Sequence, residues 1–263
     1  MSELLDSLST EVRSIGDLIL PYFANVAPDV KADGSWLTKA DKLSHHRLLE
    51  ALPKLYDLPV LSEETDKLHQ QQIITDSQEG YWCVDPLDGT SNFTQGINYW
   101  CISVGLVVSG EVRLAVVYDP HRGELFSTEA AQPTKLNGKT LVTSPNNALA
   151  EATVMMDLKR IPTDLVNRIM ADHPYRSHRC FGASALDFCW LAANRCQLYL
   201  HGQQQLWDCV AGNKILQNAG GASATFTGDN VFQNDLAPKS VIAASNPQLL
   251  QHWQNYFVTI YST

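Results

Sequence analysis

Trp82-Cys83-Val84-Asp85-Pro86-Leu87-Asp88-Gly89-Thr90-Ser91-Asn92-Phe93 places two carboxylates three residues apart, where an apolar run gives way to a glycine turn. A strand closing on Asp85, a Pro86 that fixes the turn and an Asp88 just ahead of Gly89 aim both acidic side chains at one region of space. Carboxylate oxygens in such a pair suit a hard divalent cation. A helix starting near Thr90 turns free backbone N–H groups, those of Gly89 and Thr90 among them, toward the same region, where they favour an anion. Taken alone, Asp-Pro-x-Asp-Gly also reads as an ordinary surface turn, because Asp, Pro and Gly each favour turns for local reasons.

Outward from this stretch, helical and strand patterns alternate along all 263 residues, with no repeat, low-complexity tract or long linker. That is an α/β or α+β layout. Apolar positions from Leu4 to Leu20 predict a helix over Glu3 to Phe23, and Leu43, Leu48, Leu49 and Leu52 predict a second over Asp41 to Tyr56. The period then changes. Tyr81 to Val84, Ile102 to Val108, Val112 to Tyr118 and Leu125 to Ser127 read as strands, and Ser109-Gly110 reads as a hairpin turn. Further on come a strand at Thr153 to Met156, helices near Asp164 to Ala171 and Ser184 to Asn194, and a strand at Gln197 to Leu200. A helix from Asp208 to Asn218, strands near Ala222 to Phe226 and Val241 to Ala244, and a helix from Pro247 complete the chain. A boundary within Ser144-Pro145-Asn146-Asn147 divides it into halves 1–146 and 147–263.

No hydrophobic run approaches the roughly 18 residues that a membrane span needs. The acidic start Met1-Ser2-Glu3-Leu4-Leu5-Asp6 lacks the basic segment and apolar core of a signal peptide, which predicts a cytoplasmic protein. The six cysteines form no CxxC pair and sit mostly among apolar residues, so they read as reduced core thiols. A net charge of −9 disfavours a nucleic-acid backbone as partner, so no DNA binding is indicated.

The dodecamer resembles the Asp-Pro-x-Asp-Gly-Thr-x-Asn-Phe signature of the inositol monophosphatase family of Mg²⁺-dependent, lithium-sensitive phosphatases. Three further pieces follow that family's order. Lys31-Ala32-Asp33-Gly34-Ser35-Trp36-Leu37-Thr38-Lys39-Ala40-Asp41 looks like its mobile loop, and Leu61-Ser62-Glu63-Glu64 matches the segment bearing a metal-bridging glutamate. Leu206-Trp207-Asp208-Cys209-Val210-Ala211-Gly212 with Asn218-Ala219-Gly220-Gly221 resembles its Trp-Asp-x-x-Ala-Gly helix.

The resemblance implies a layered α-β-α-β-α sandwich of the sugar-phosphatase type and a homodimer. It implies two or three Mg²⁺ ions held by Glu63, Asp85, Asp88, Asp208 and the backbone carbonyl of Leu87. It further implies hydrolysis of a phosphate monoester of a cyclitol or sugar by a metal-activated water, oriented by Glu63 and Thr90, with no phosphoenzyme. Thr38 and Asp41 match positions near the attacking water, and Asp88, Gly89, Thr90 and Asp208 match positions facing the substrate. Two local readings stay open: Asp208 also reads as a helix N-cap, and Asp41 as the cap of the helix that follows it.

Phe181-Gly182-Ala183-Ser184-Ala185 resembles the loop lining the sugar pocket, with Ala183 at its substrate-contacting position. His201 stands where the family usually has a glutamate that receives ring hydroxyls, and an imidazole there could also attract a second anionic group. Lys159-Arg160 reads as a solvated basic turn or as a reach toward an anionic substrate. Glu64 is expected to be exposed or behind the ligands. His45-His46 are expected to be solvated, and His69 to lie in a polar loop. The alternatives are a 3′(2′),5′-bisphosphate nucleotidase, a fructose-1,6-bisphosphatase-like activity, and a fold-retaining binding or regulatory protein, for instance in RNA metabolism.

Overall fold

The computed structural model describes residues 2–31, 34–143 and 148–261. The first helix, α1 (Ser2–Ile19), ends earlier than its apolar stripe, because Pro21 converts the last turn into a 3₁₀ turn over Leu20–Tyr22. A short hairpin of β1 (Asp29–Val30) and β2 (Trp36–Leu37) follows. Thr38 then caps α2 (Lys39–Leu55) in a reciprocal box with Asp41, which starts this helix two residues before the predicted position.

The strand β3 (Val60–Ser62) leads to α3 (Lys67–Asp76), a helix where the sequence reading had a loop around His69. Gln70 explains the miss. Its side chain is buried and donates to Ser62 O at 2.8 Å, while Leu68 is 79 % exposed, so the helix shows no apolar stripe.

The quoted stretch forms β4 (Gly80–Asp88) and α4 (Thr90–Gln95). The strand does not stop at Asp85. Against the neighbouring strand β5 (Cys101–Val108), Asp85 faces Ser103 and Asp88 faces Cys101, so an extra residue bulges out between them. Pro86 fits such a bulge because it has no N–H to offer the ladder. The hairpin to β6 (Glu111–Asp119) turns through Ser109 and Gly110, both at positive φ, as the two-residue turn requires.

After β6 come β7 (Glu124–Glu129), β8 (Lys135–Leu136) and β9 (Lys139–Thr140). The second half contains β10 (Thr153–Asp157), α5 (Thr163–Asp172), β11 (Ser177–Arg179), α6 (Ser184–Ala192) and β12 (Leu198–Gln204). It ends with α7 (Leu206–Asn218), β13 (Ala222–Ala224), β14 (Lys239–Ala244) and α8 (Pro247–Tyr261).

One sheet has seven strands in the order β3 to β9, antiparallel apart from the β3–β4 pair. The other has five, ordered β11-β10-β12-β14-β13, with β10 parallel to both neighbours. Layering follows from which face each strand buries. Ile102, Val104 and Leu106 of β5 join α1 and α2 through Leu8, Val12, Ile15 and Leu48. The opposite face of that sheet, with Cys101, Ala115, Val117 and Phe126, meets α6 and α7, which also cover Met155, Tyr199 and Ala243 of the second sheet. The far face of the second sheet is closed by α5 and α8 through Leu165, Ile169, Leu249 and Trp253. The result is the five-layer α-β-α-β-α sandwich.

The sheets divide between Thr140 and Thr153, and the predicted boundary at 144–147 lies outside the described residues. All six cysteines are free, five of them buried and Cys180 exposed. Among the described residues no helix is long and apolar enough to cross a membrane.

Candidate functional site

A cavity of about 560 Å³ opens where β4, α4, β10, β12 and the start of α7 come together, and Gly34 to Trp36 of the first hairpin form part of its rim. Glu63, Asp85, Leu87, Asp88, Gly89, Thr90, His201 and Asp208 all line it. Residues separated by up to 145 positions thus share one space.

The bulge in β4 sets the two central carboxylates. Asp85 Oδ1 accepts from the Leu87 N–H at 3.0 Å, which ties the loop of the bulge to its own side chain. Asp88 Oδ2 accepts from the Ala185 N–H at 2.7 Å, at the start of α6, so the second half of the chain grips the first. Gly89 follows at φ +95°, and a Cβ there would stand 3.0 Å from Tyr99 O and 3.2 Å from Ala183 Cβ. Both conformation and space therefore demand glycine. Ala183 itself is buried against Gly89 and is not among the cavity-lining residues, in contrast to the substrate contact expected for it.

Asp208 is the third residue of α7, not its N-cap. The N-cap is Gln205, whose backbone N–H donates to Asp208 Oδ2 at 2.9 Å in a capping box. One oxygen is used by the helix, and the residue still lines the cavity.

Asp41, the third residue of α2, completes the capping box of Thr38; neither of the two is among the residues lining the cavity, and Asp41 reaches it through the Thr90 hydroxyl. Thr38 donates to its Oδ2 through the backbone N–H at 2.7 Å and through the hydroxyl, and the Thr90 hydroxyl lies 2.9 Å from its Oδ1. Thr90 Oγ1 also lies 3.1 Å from Leu87 O, and its single proton favours the nearer, charged carboxylate.

These acids repel one another. Burial raises Asp85 far above the usual carboxylate range, and the charges of Glu63, Asp88 and Asp208 push it further. Burial pushes Asp88 up to about 7, opposed by the Ala185 N–H and reinforced by Glu63. Burial raises Asp208 in the same way, with Asp88 and Glu63 adding to it. Glu63 is compensated by Lys31, whose ammonium lies 2.9 Å from Glu63 Oε1 and 2.7 Å from Glu64 Oε1. Glu64 is therefore not an exposed bystander: its side chain is less open than that of Glu63, and burial raises it to about 7.

The donor set is all oxygen and short of positive charge, which fits a hard divalent cation in chemistry and charge. As placed, the side chains line a wall without closing on a point, and among the described residues no three His, Cys, Asp or Glu form a group that could hold an ion.

His201 lines the cavity but is 4 % exposed, with Nε2 3.3 Å from Asp157 Oδ2. Burial holds its ring below the usual imidazole range against the pull of Asp157, so it offers no cation to a second anionic group. His45 is not solvated; its Nδ1 lies 2.9 Å from Ser62 Oγ. His46 is exposed beside Glu50.

Asp157 and Asp187 escaped the sequence reading although both line the cavity. Asp187 is buried and receives the Tyr99 hydroxyl at 2.7 Å. An acid inside the apolar run Ala185 to Ala193 was the available signal for it. Lys159 and Arg160 are exposed on a 3₁₀ turn, as the solvated-turn reading expected, and they also line the same wall.

The five-layer sandwich, with its two halves meeting at a carboxylate-lined cavity, is the architecture that the family resemblance implied. The chain belongs to the inositol monophosphatase family, whose sequence model matches residues 1–260, and that membership supports a phosphatase. An inositol monophosphatase of Mesembryanthemum crystallinum is 30 % identical over 258 residues, covering 94 % of this chain and 93 % of its own. A protein named Nus factor SuhB of Haemophilus influenzae is 29 % identical over 255 residues, covering 93 % and 92 %. Among solved structures, an IMPase of Thermotoga maritima superposes with a TM-score of 0.84 at 24 % identity, over 98 % of this chain and 97 % of its own. The extragenic suppressor protein SuhB of Bartonella henselae does so at 0.85 and 24 %, over 97 % and 98 %. These structural likenesses establish the fold.

Proposed function

We propose that the protein hydrolyses a phosphate monoester of a cyclitol or sugar with the help of Mg²⁺. The observation that carries this reading is a single cavity lined by Glu63, Asp85, Asp88 and Asp208, where burial and the neighbouring acids raise Asp85, Asp88 and Asp208. Glu63, Asp85, Asp88, Asp208 and the carbonyl of Leu87 would hold the ions, two or three by family resemblance. Bound there, Mg²⁺ would neutralise charge at the phosphate and make a water more acidic than bulk water.

The rest falls to the chain. The backbone N–H groups of Gly89 and Thr90 face the phosphate oxygens, and Glu63 orients the attacking water. Thr90 Oγ1 accepts a proton from that water as it passes its own to Asp41 Oδ1, 2.9 Å away. Thr38 holds Asp41 in place for this step. Attack in line with the departing alkoxide needs no phosphoenzyme, and positioning with charge neutralisation does most of the work.

Phosphate release is to be measured with myo-inositol 1-phosphate, fructose 1,6-bisphosphate and 3′-phosphoadenosine 5′-phosphate, each with Mg²⁺, with EDTA and with added Li⁺. Mg²⁺-dependent turnover of the inositol or another sugar ester supports the proposal, and turnover of the adenosine compound alone replaces it with a nucleotidase. The relatives named Nus factors favour a second reading, a fold-retaining binding protein, which gains if no ester is hydrolysed.

A further inference from the structure

Asp157, the last residue of β10, and His201, the fourth of seven in β12, are cross-strand partners where the parallel pairing of the two strands ends, toward the edge of an α/β sheet where ligands gather. Both line the cavity, and Arg160 on the same wall is close enough to Asp208 for its charge to favour that carboxylate. His201 occupies the position from which hydroxyl recognition was expected, yet its polar atoms are already committed. Nδ1 accepts from the Gln203 backbone N–H at 3.2 Å, which leaves the ring proton on Nε2. Nε2 then donates toward Asp157 Oδ2 at 3.3 Å. A neutral imidazole has one donor and one acceptor, so nothing is left for a ligand.

Asp157 is in the opposite condition. Its Oδ1 accepts from the Lys159 N–H at 3.2 Å, and its Oδ2 faces His201 and, at 3.6 Å, Arg160 Nε. A carboxylate offers about four lone-pair directions, so it keeps capacity to accept further hydrogens. Its side chain is 27 % exposed where that of His201 is 5 %.

We infer that Asp157 is the specificity-determining residue of this cavity, accepting hydrogen bonds from the free hydroxyls of a polyol phosphate, and that His201 is the positioning residue that aims it. The inference rests on the phosphomonoesterase reading and names the substrate class more closely. A fixed carboxylate at this point selects an ester whose alcohol carries hydroxyls toward β10 and β12. The function of the acid that the family usually places on β12 is thus moved one strand sideways, to β10.

The test compares kcat/KM for myo-inositol 1-phosphate with that for p-nitrophenyl phosphate, whose leaving group has no hydroxyl, in the Mg²⁺-loaded protein. Loss of a hydroxyl bond to a charged acceptor is worth about tenfold or more. In Asp157→Ala the ratio of the two constants is expected to fall by that factor, chiefly through KM for the inositol ester, with a smaller fall in Asp157→Asn. His201→Phe should lower the ratio in the same direction. His201→Gln, which can still donate to Asp157 and accept from Gln203, should recover most of it. A ratio unmoved in both Asp157 variants, or constants that drop in equal proportion for both esters, overturns the inference and leaves the phosphomonoesterase reading standing. Failure of the unmodified protein to hydrolyse either ester overturns both.

Discussion

Gly105 of β5 lies under α7, and replacing it by alanine tests how tightly the two sheets are coupled through that helix. A Cβ on Gly105 would stand 2.5 Å from Val210 Cγ1, 3.6 Å from Val210 Cβ and 3.7 Å from Ala211 N. Apolar carbons rest about 3.5–4.0 Å apart, so the new methyl falls short by about 1 Å. Val210 has little freedom to swing away, because a valine in a helix is nearly restricted to one rotamer. The helix must therefore move. Overpacking of this kind costs about 1–3 kcal/mol, and each kcal/mol lowers the midpoint of a chain this size by roughly 2–4 °C.

The displacement also reaches Asp208, two residues before Val210 on the same helix. Misplacement of a site group by about 1 Å can lower turnover as much as 100-fold, and a loss of at least about tenfold is expected here. Urea unfolding gives the first quantity and phosphate release the second. Gly105→Ala combined with Val210→Ala removes the offending methyls and should be more stable than Gly105→Ala alone. A single variant within about 0.5 kcal/mol of the parent, or a double variant with no gain over it, would refute the argument.

Asp88→Asn removes one of the repelling charges while keeping an oxygen for the Ala185 N–H. Turnover should vanish, and the EDTA-treated variant should melt no lower than the parent; a folded variant with normal rates contradicts the ligand assignment. Saturating Mg²⁺ should stabilise the parent by about 2.7 kcal/mol at 100 times its dissociation constant, and calorimetry should find this gain reduced in Asp85→Asn. Thr38→Ala removes the cap of α2 and one anchor of Asp41, so chemical denaturation should show a loss of about 0.5–2 kcal/mol. Because burial holds His201 below the usual imidazole range, the unfolded chain takes up its proton first as pH falls through about 6.5, and the histidine's contribution to stability shrinks on acidification. The stability difference between the parent and His201→Gln should thus be smaller at about pH 5.5 than at about pH 7.5. Growth of that difference in acid would mean that the folded ring is protonated.

The fold was legible wherever one face of an element is apolar. The apolar runs of β5 and β6, buried nearly throughout, and the positive-φ turn at Ser109-Gly110 between them follow from neighbours in the chain, and so did their expected form. Helix α3 was not legible because Gln70 does the work of an apolar residue by bonding to Ser62 O. For the cavity, Asp85, Asp88 and Gly89 could be recognised because a single turn places them. Asp157 could not. Its meaning depends on register with His201, forty-four residues away, and on a backbone N–H from Gln203 that decides which nitrogen of the ring carries the proton. Asp208 was recognised, but its helix begins two residues earlier because Gln205 takes the cap.

Helices α6 and α7 are encoded in the second half of the chain but cover Cys101, Ala115, Val117 and Phe126 of the first. A fragment made of the opening 140 residues would leave that face bare to water, and it would be expected to clump when expressed alone. Supplying the remaining piece in trans could give it shelter. The polypeptide is therefore suited to fragment complementation and poorly suited to trimming, since the central layer between the two sheets is built from both portions.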